Sequence, residues 1–133
     1  MPISWDVALG VHPLALELRA HRAEILSSNV ANEDTPHYKA KDFDFDSIMR
    51  SAIDQQENLT LRRTHTRHIA GPGVGASPLE LKYRVPHTPA LDGNTVDIEL
   101  ERAEFMTNSL NYATTLRFLD GKFKSLNKAI QGQ

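Results

Sequence analysis

The chain has 133 residues and a mass of 14.9 kDa, with a formal net charge of −2 and a sequence pI near 6.3. That length suits one domain, or one domain with extended tails, and the near-neutral charge argues against a protein built mainly to hold nucleic acid. Cysteine is absent, which excludes disulfides and thiolate zinc sites, and no run approaches the ~18 apolar residues that a bilayer-spanning helix needs. The first residues, Met1-Pro2-Ile3-Ser4-Trp5-Asp6, carry an acid where a secretory signal has its basic region. No apolar core with a small-residue cleavage site follows, so no cleaved signal is expected.

From about Val7 to Asn32 the apolar residues fall at helical spacing: Val7, Val11, Leu14, Leu18 and Ile25, with Ala15 and Leu26 beside them. Pro13 stands near the start, where a missing N–H is tolerated. The stretch from Asn29 to Pro36 stops the helix. Its asparagines bond their own backbone, and Pro36 pushes Thr35 out of helical geometry.

Residues from about Tyr38 to Leu91 show no sustained period. Phe43, Phe45, Ile48 and Met49 suit a short docked segment, with Asp42, Asp44 and Asp46 facing water between the aromatics. Leu59 to Thr64 alternates as a strand does, Gly71 to Pro78 has the composition of a flexible loop, and Leu79 to Val85 is the best strand candidate. In that last run Leu79, Leu81, Tyr83 and Val85 alternate with Glu80, Lys82 and Arg84, and Pro86 and Pro89 end it.

A second helix is expected from about Val96 to Ile130, after the turn signal Asp92-Gly93-Asn94. Asn94, Thr95 and Asp97 are each N-cap residue types, and the sequence leaves the choice open. Its apolar line runs Leu100, Ala103, Met106, Leu110, Ala113, Leu116, Leu119, Phe123, Leu126, Ile130. The steps average nearer 3.5 than 3.6 residues, as in a coiled-coil seam. Gly121 interrupts it, either at a cost of about 1 kcal/mol relative to Ala or to admit a neighbouring backbone. A helix of ~35 residues is about 50 Å long, against a diameter of ~29 Å for a compact domain of this size. It should therefore protrude, with its apolar line covered by the first helix, by other chains, or by both. The expected fold is mainly α: two long terminal amphipathic helices forming a coiled-coil-like pair, with a loop-rich middle containing short β-strands. The expected divisions are 1–36, 37–94 and 95–133.

No catalytic, cofactor or metal site emerges. His65 and His68 lie beside Arg63 and Arg67, whose charge opposes a bound cation, and His12 and His21 lack a third ligand at suitable spacing. The acids at 42, 44 and 46 and the segment from Asp92 to Asp97 lack the pattern of a calcium loop. No nucleophile elbow or phosphate-binding glycine loop is present. The middle carries a modest basic excess at Arg62, Arg63, Arg67, Lys82 and Arg84, and Tyr83 is the sole aromatic within that stretch, so base stacking has little support.

The residues Ser28-Asn29-Val30-Ala31-Asn32-Glu33-Asp34-Thr35-Pro36-His37-Tyr38-Lys39 directly follow the first helix. They resemble the N-terminal box of the bacterial flagellar rod and hook family, roughly S-N-[IVL]-A-N-x-x-T-P-x-Y-[KR]. His37 departs mildly, since the family often has Gly or Asn there. The short length, Tyr83-Arg84-Val85-Pro86 followed by the Leu91–Asp97 turn, and the helix start Glu101-Arg102-Ala103-Glu104-Phe105 are most like a proximal rod subunit. A sister subunit of similar length usually carries a longer insertion around the Thr-Pro-x-Tyr turn, which is lacking here.

The resemblance implies a structural protein of motility, without substrate or cofactor, located in the periplasmic rod of the flagellar basal body. It implies passage unfolded through the flagellar type III export apparatus and polymerisation through the terminal helices. Implied partners are further copies, other rod subunits, and the adaptor joining the inner membrane ring to the rod. The box residues are Ser28, Asn29, Ala31, Asn32, Thr35, Pro36, Tyr38 and Lys39. The expected assembly interface comprises Leu14, Leu18, Ile25, Leu26, Ala103, Met106, Leu110, Ala113, Leu116, Phe123, Leu126 and Ile130. The competing reading is a cytoplasmic helical adaptor or chaperone forming a small closed oligomer; an enzyme would need a pocket of paired titrating groups.

Overall fold

Pro13 lies in the first turn of helix α1, His12–Ala31, where its missing N–H costs nothing. The computed structural model describes residues 8–57, 80–86 and 90–132. Within them α1 is followed by β1 (Lys41–Asp42), α2 (Phe45–Glu57), β2 (Lys82–Tyr83) and α3 (Ile98–Gln131), so the protein is mainly α. Asn32 ends α1 as its C-cap, and its side-chain amide donates to the Ser28 carbonyl at 2.7 Å. Among the candidate caps of α3, Asp97 takes the role, accepting from the Leu100 amide at 3.3 Å. Gly132 closes α3 at φ 72°, a left-handed conformation that favours glycine.

The two long helices run antiparallel. His12 stacks on Phe118, the Arg19 carbonyl accepts from Asn108, Arg22 meets Glu104, and Asn29 meets Glu101. The apolar core is small: Ala15, Leu18 and Leu26 from α1, with Ala40 and Phe43. The buried positions that α3 contributes are Glu101, Asn108 and Thr115. They are spaced by seven residues and so share one face.

That face corrects the expected seam: a polar stripe of α3 lies against α1, and Met106 and Leu110 of the apolar line are 73% and 70% exposed. The line is also not straight. Because its steps are shorter than 3.6 residues it winds around the helix, and Ile130 lies roughly half a turn from Ala103.

The strand's alternation does not mark a buried apolar face: Glu80 and Lys82 are exposed as well as the apolar positions. β1 and β2 pair antiparallel, Lys41 with Tyr83 and Asp42 with Lys82. Leu81, Tyr83 and Val85 face outward, while Arg84 turns in to reach two carboxylates. Asp42 likewise points into this charge cluster and not to water. Phe43 is buried as expected, and Phe45 opens α2 with the Arg19 guanidinium 4.3 Å above its ring. Asp44 caps α2 through the Ser47 amide at 3.0 Å. The strand expected from Leu59 to Thr64, the loop from Gly71 to Pro78, and His65 and His68 lie outside the described residues.

A Cβ at Gly121 would meet nothing within 4 Å, so no described backbone approaches it within the chain. Gly121→Ala should stabilise the isolated protein by up to ~1 kcal/mol, read as a higher thermal midpoint. A lower midpoint would show that the glycine is needed within the subunit itself.

Candidate functional site: the polar junction and the outward helix face

The box after α1 folds back on the turn before α3. Asn29 is fully buried, and its side chain completes the free edge of β1 as a strand would. Its Nδ2 donates to the Lys41 carbonyl at 2.8 Å, and its Oδ1 accepts from the Lys41 amide at 3.1 Å and from the Tyr38 hydroxyl at 3.3 Å. Nδ2 also reaches Glu101 at 3.2 Å. Across the junction Asn94 closes the end of α1: its Nδ2 lies 2.7–3.0 Å from the carbonyls of Asn32, Glu33 and Thr35. Lys39 donates to the Gly93 carbonyl, the Thr95 hydroxyl accepts from the Ala40 amide, and the Thr95 amide donates to the Tyr38 carbonyl. The Thr35 hydroxyl donates to Asn32 Oδ1, and Ser28 lies 3.4 Å from the Tyr38 hydroxyl. Ala31 and Pro36 are exposed.

His37 explains its own departure from the pattern. Its φ of 62° is left-handed, the region glycine and asparagine enter most easily. A Cβ on the facing Gly93 would come within 2.9 Å of the His37 ring, so glycine is required there on two counts, since its own φ is 73°.

Behind the junction lies a charge cluster that the sequence reading missed. Arg22 clasps Asp42 with two hydrogen bonds, 3.1 and 2.8 Å, and also reaches Glu104 at 2.9 Å. Arg84 bridges Asp42 at 2.6 Å and Glu101 at 2.7 Å. Three carboxylates thus share two guanidinium groups, and α1, β1, the β2 segment and α3 are joined. Burial pushes Asp42 up, but the Arg22 hydrogen bonds and charge, the Phe43 amide and Arg84 prevail and hold it below its usual 3.8. Burial pushes Glu101 above its usual 4.5; Asn29 and Arg84 oppose this, while Asp42 and Glu104 add to it.

Of the expected interface residues, Leu18 and Leu26 are buried in the chain's own core, and Leu14 and Ile25 are half-buried. Ala103, Met106, Leu110, Ala113, Leu116, Phe123 and Ile130 are exposed, and Leu126 is half-buried. His21 lies 3.4 Å from Glu24. Among the described residues no group of three His, Asp or Glu side chains is placed to hold a metal ion.

No family model matches the sequence. Curated proteins do. The chain is 44% identical over 138 residues to the flagellar basal body rod protein FlgB of Aeromonas hydrophila, covering 100% of this chain and 99% of that protein. It is 42% identical to FlgB of Escherichia coli K12, with 95% and 94% covered, and 47% identical to FlgB of Cereibacter sphaeroides, with 94% of each covered.

Arg84→Ala should destabilise the protein by about 3–5 kcal/mol in urea unfolding, because it strands a buried carboxylate. The two acids act in opposite directions with pH. Asp42 stabilises above its unfolded value of 3.8 and loses that contribution as pH falls. Glu101, being raised, contributes fully below 4.5, and its contribution is lost as pH rises through its shifted value. Urea midpoints of Glu101→Gln should therefore lack the decline above pH 4.5 while keeping the acid loss due to Asp42. An unchanged upper limb would show that Glu101 does not titrate differently on folding.

Proposed function

The chain belongs to the FlgB family of flagellar basal body rod proteins, and we propose that it enters the rod by packing the outward face of α3 against neighbouring chains. It is a structural subunit of the flagellar basal body rod, and that is where it is located. In the proposed reading the chain is exported unfolded by the flagellar type III apparatus and polymerises on arrival. Residues 1–36 and 95–133 form its core portion, and 37–94 the intervening segment. Its neighbours are further copies, other rod subunits, and the adaptor between inner membrane ring and rod. The role is structural and not catalytic, a reading supported by the names of the relatives.

The observation that carries the proposal is the exposure of Met106 and Leu110, with Ala103 and Ala113 beside them, on the side of α3 away from α1. A helix that turns its polar stripe inward leaves its apolar stripe for something else to cover. Each leucine buried there is worth about 1.5–3 kcal/mol.

Leu110→Asp should abolish rod assembly and motility, since an unpaired charge in an apolar contact costs more than the lost burial. Glu80→Lys, at an exposed position, should do far less. The check is swimming, together with immunodetection of the subunit in isolated basal bodies. Both variants should still be exported. Normal swimming by the Leu110→Asp strain would remove α3 from the assembly surface, and failed export would move the defect to an earlier step.

A further inference from the structure

Sulfur is scarce in this chain: cysteine is absent, and the three methionines are Met1, Met49 and Met106. Met1 lies outside the described residues. Met49 is half-buried in α2, whereas Met106 is 73% exposed on α3. Beside Met106 on the outward face stand Ala103, Leu110 and Ala113, whose alkyl side chains do not react with peroxides. The thioether of Met106 is thus the oxidisable group among them. A peroxide must reach the sulfur lone pair, so an exposed thioether reacts ahead of a covered one.

We propose that Met106 is an oxidation site, and that its conversion to the sulfoxide by hydrogen peroxide closes the outward face of α3 to assembly. The proposal rests on the rod reading above and adds a chemical control to it. The sulfur lone pair attacks one peroxide oxygen, and the S–O bond forms as the O–O bond breaks. The hydroxide that leaves takes the proton from the transferred oxygen and departs as water. Sulfur is oxidised by two electrons and the peroxide is reduced by two.

The position of Met106 separates assembly from folding. Its side chain lies outside the chain's own core, and α3 is held on α1 through the opposite face, by Glu101, Asn108 and Thr115. In the free subunit the new S–O dipole stays in water and costs the fold nothing. In an apolar contact between chains the same dipole must shed its water, and the side chains of Ala103, Leu110 and Ala113 offer it no hydrogen bond. One added oxygen therefore leaves the subunit intact and makes its assembly face polar.

Brief treatment of the purified full chain with hydrogen peroxide, followed by peptide mass analysis, should show one added oxygen at Met106 about tenfold faster than at Met49. The thermal midpoint of the chain oxidised at Met106 should equal that of the untreated chain. Met106→Gln, which puts a permanent uncharged polar group at the position, should keep that midpoint and lose swimming and incorporation into basal bodies. When new flagella are grown under peroxide, a Met106→Leu strain should retain a larger fraction of its own untreated swimming than the parent strain retains of its own. Equal oxidation of Met49, a lowered midpoint on oxidation of Met106, normal swimming by Met106→Gln, or equal fractional losses in the two strains would overturn the proposal. The Leu110→Asp strain reports on the rod reading separately: its loss of swimming beside normal swimming by Met106→Gln would retain assembly through α3 and reject control by oxidation.

Discussion

A fully buried glutamate on the longest helix is the constraint around which the described structure is organised. Glu101 is 0% exposed, and an unpaired carboxylate there would be prohibitively costly. Its oxygens are met by Arg84 from the β2 segment and Asn29 from α1. Arg84 also binds Asp42, which Arg22 of α1 clasps from the other side. Docking of the two terminal helices therefore depends on short pieces of the middle being in place. A cluster with more carboxylates than guanidinium groups is not an efficient source of stability. It does fix geometry, because each bond has one partner at one distance.

The same arrangement decides which surface is left over. With Glu101, Asn108 and Thr115 turned toward α1, the apolar residues between Ala103 and Ala113 have no place in the core. The chain's own apolar core is correspondingly small and comes mostly from α1 and the residues just after the box. A protein working alone would gain from the opposite arrangement. In the proposed reading that apolar surface is kept for contacts between chains, where burial stabilises the assembly and not the free subunit.

The box is a clasp within the chain. Asn29, Asn32, Thr35, Tyr38 and Lys39 all spend side-chain hydrogen bonds on the chain itself, and Asn94 returns the contact from the turn before α3. Short polar side chains suit this task because they imitate backbone groups at a helix end and a strand edge. Gly93 and the left-handed His37 then allow the two backbones to approach closely.

The sequence by itself determined the two long helices, their approximate ends, the candidate caps and the family, because these rest on local spacing, proline and glycine chemistry, and one contiguous box. Pro13 in the first turn and the stop after Ala31 were legible in that way, and Asp97 was one of three candidate caps among which only the structure chose. The tertiary structure alone decided which face of α3 turns inward, that Arg84 and not the apolar residues around β2 turns in, and that Arg22, Asp42, Arg84, Glu101 and Glu104 meet. Hydrophobic periodicity locates an amphipathic stripe but does not say whether the stripe faces its own chain or another. Only the placement of the partners of a buried charge, 17 and 72 residues away along the chain, fixed that orientation: Glu101 had to face Arg84 and Asn29, and with it the polar side of the helix.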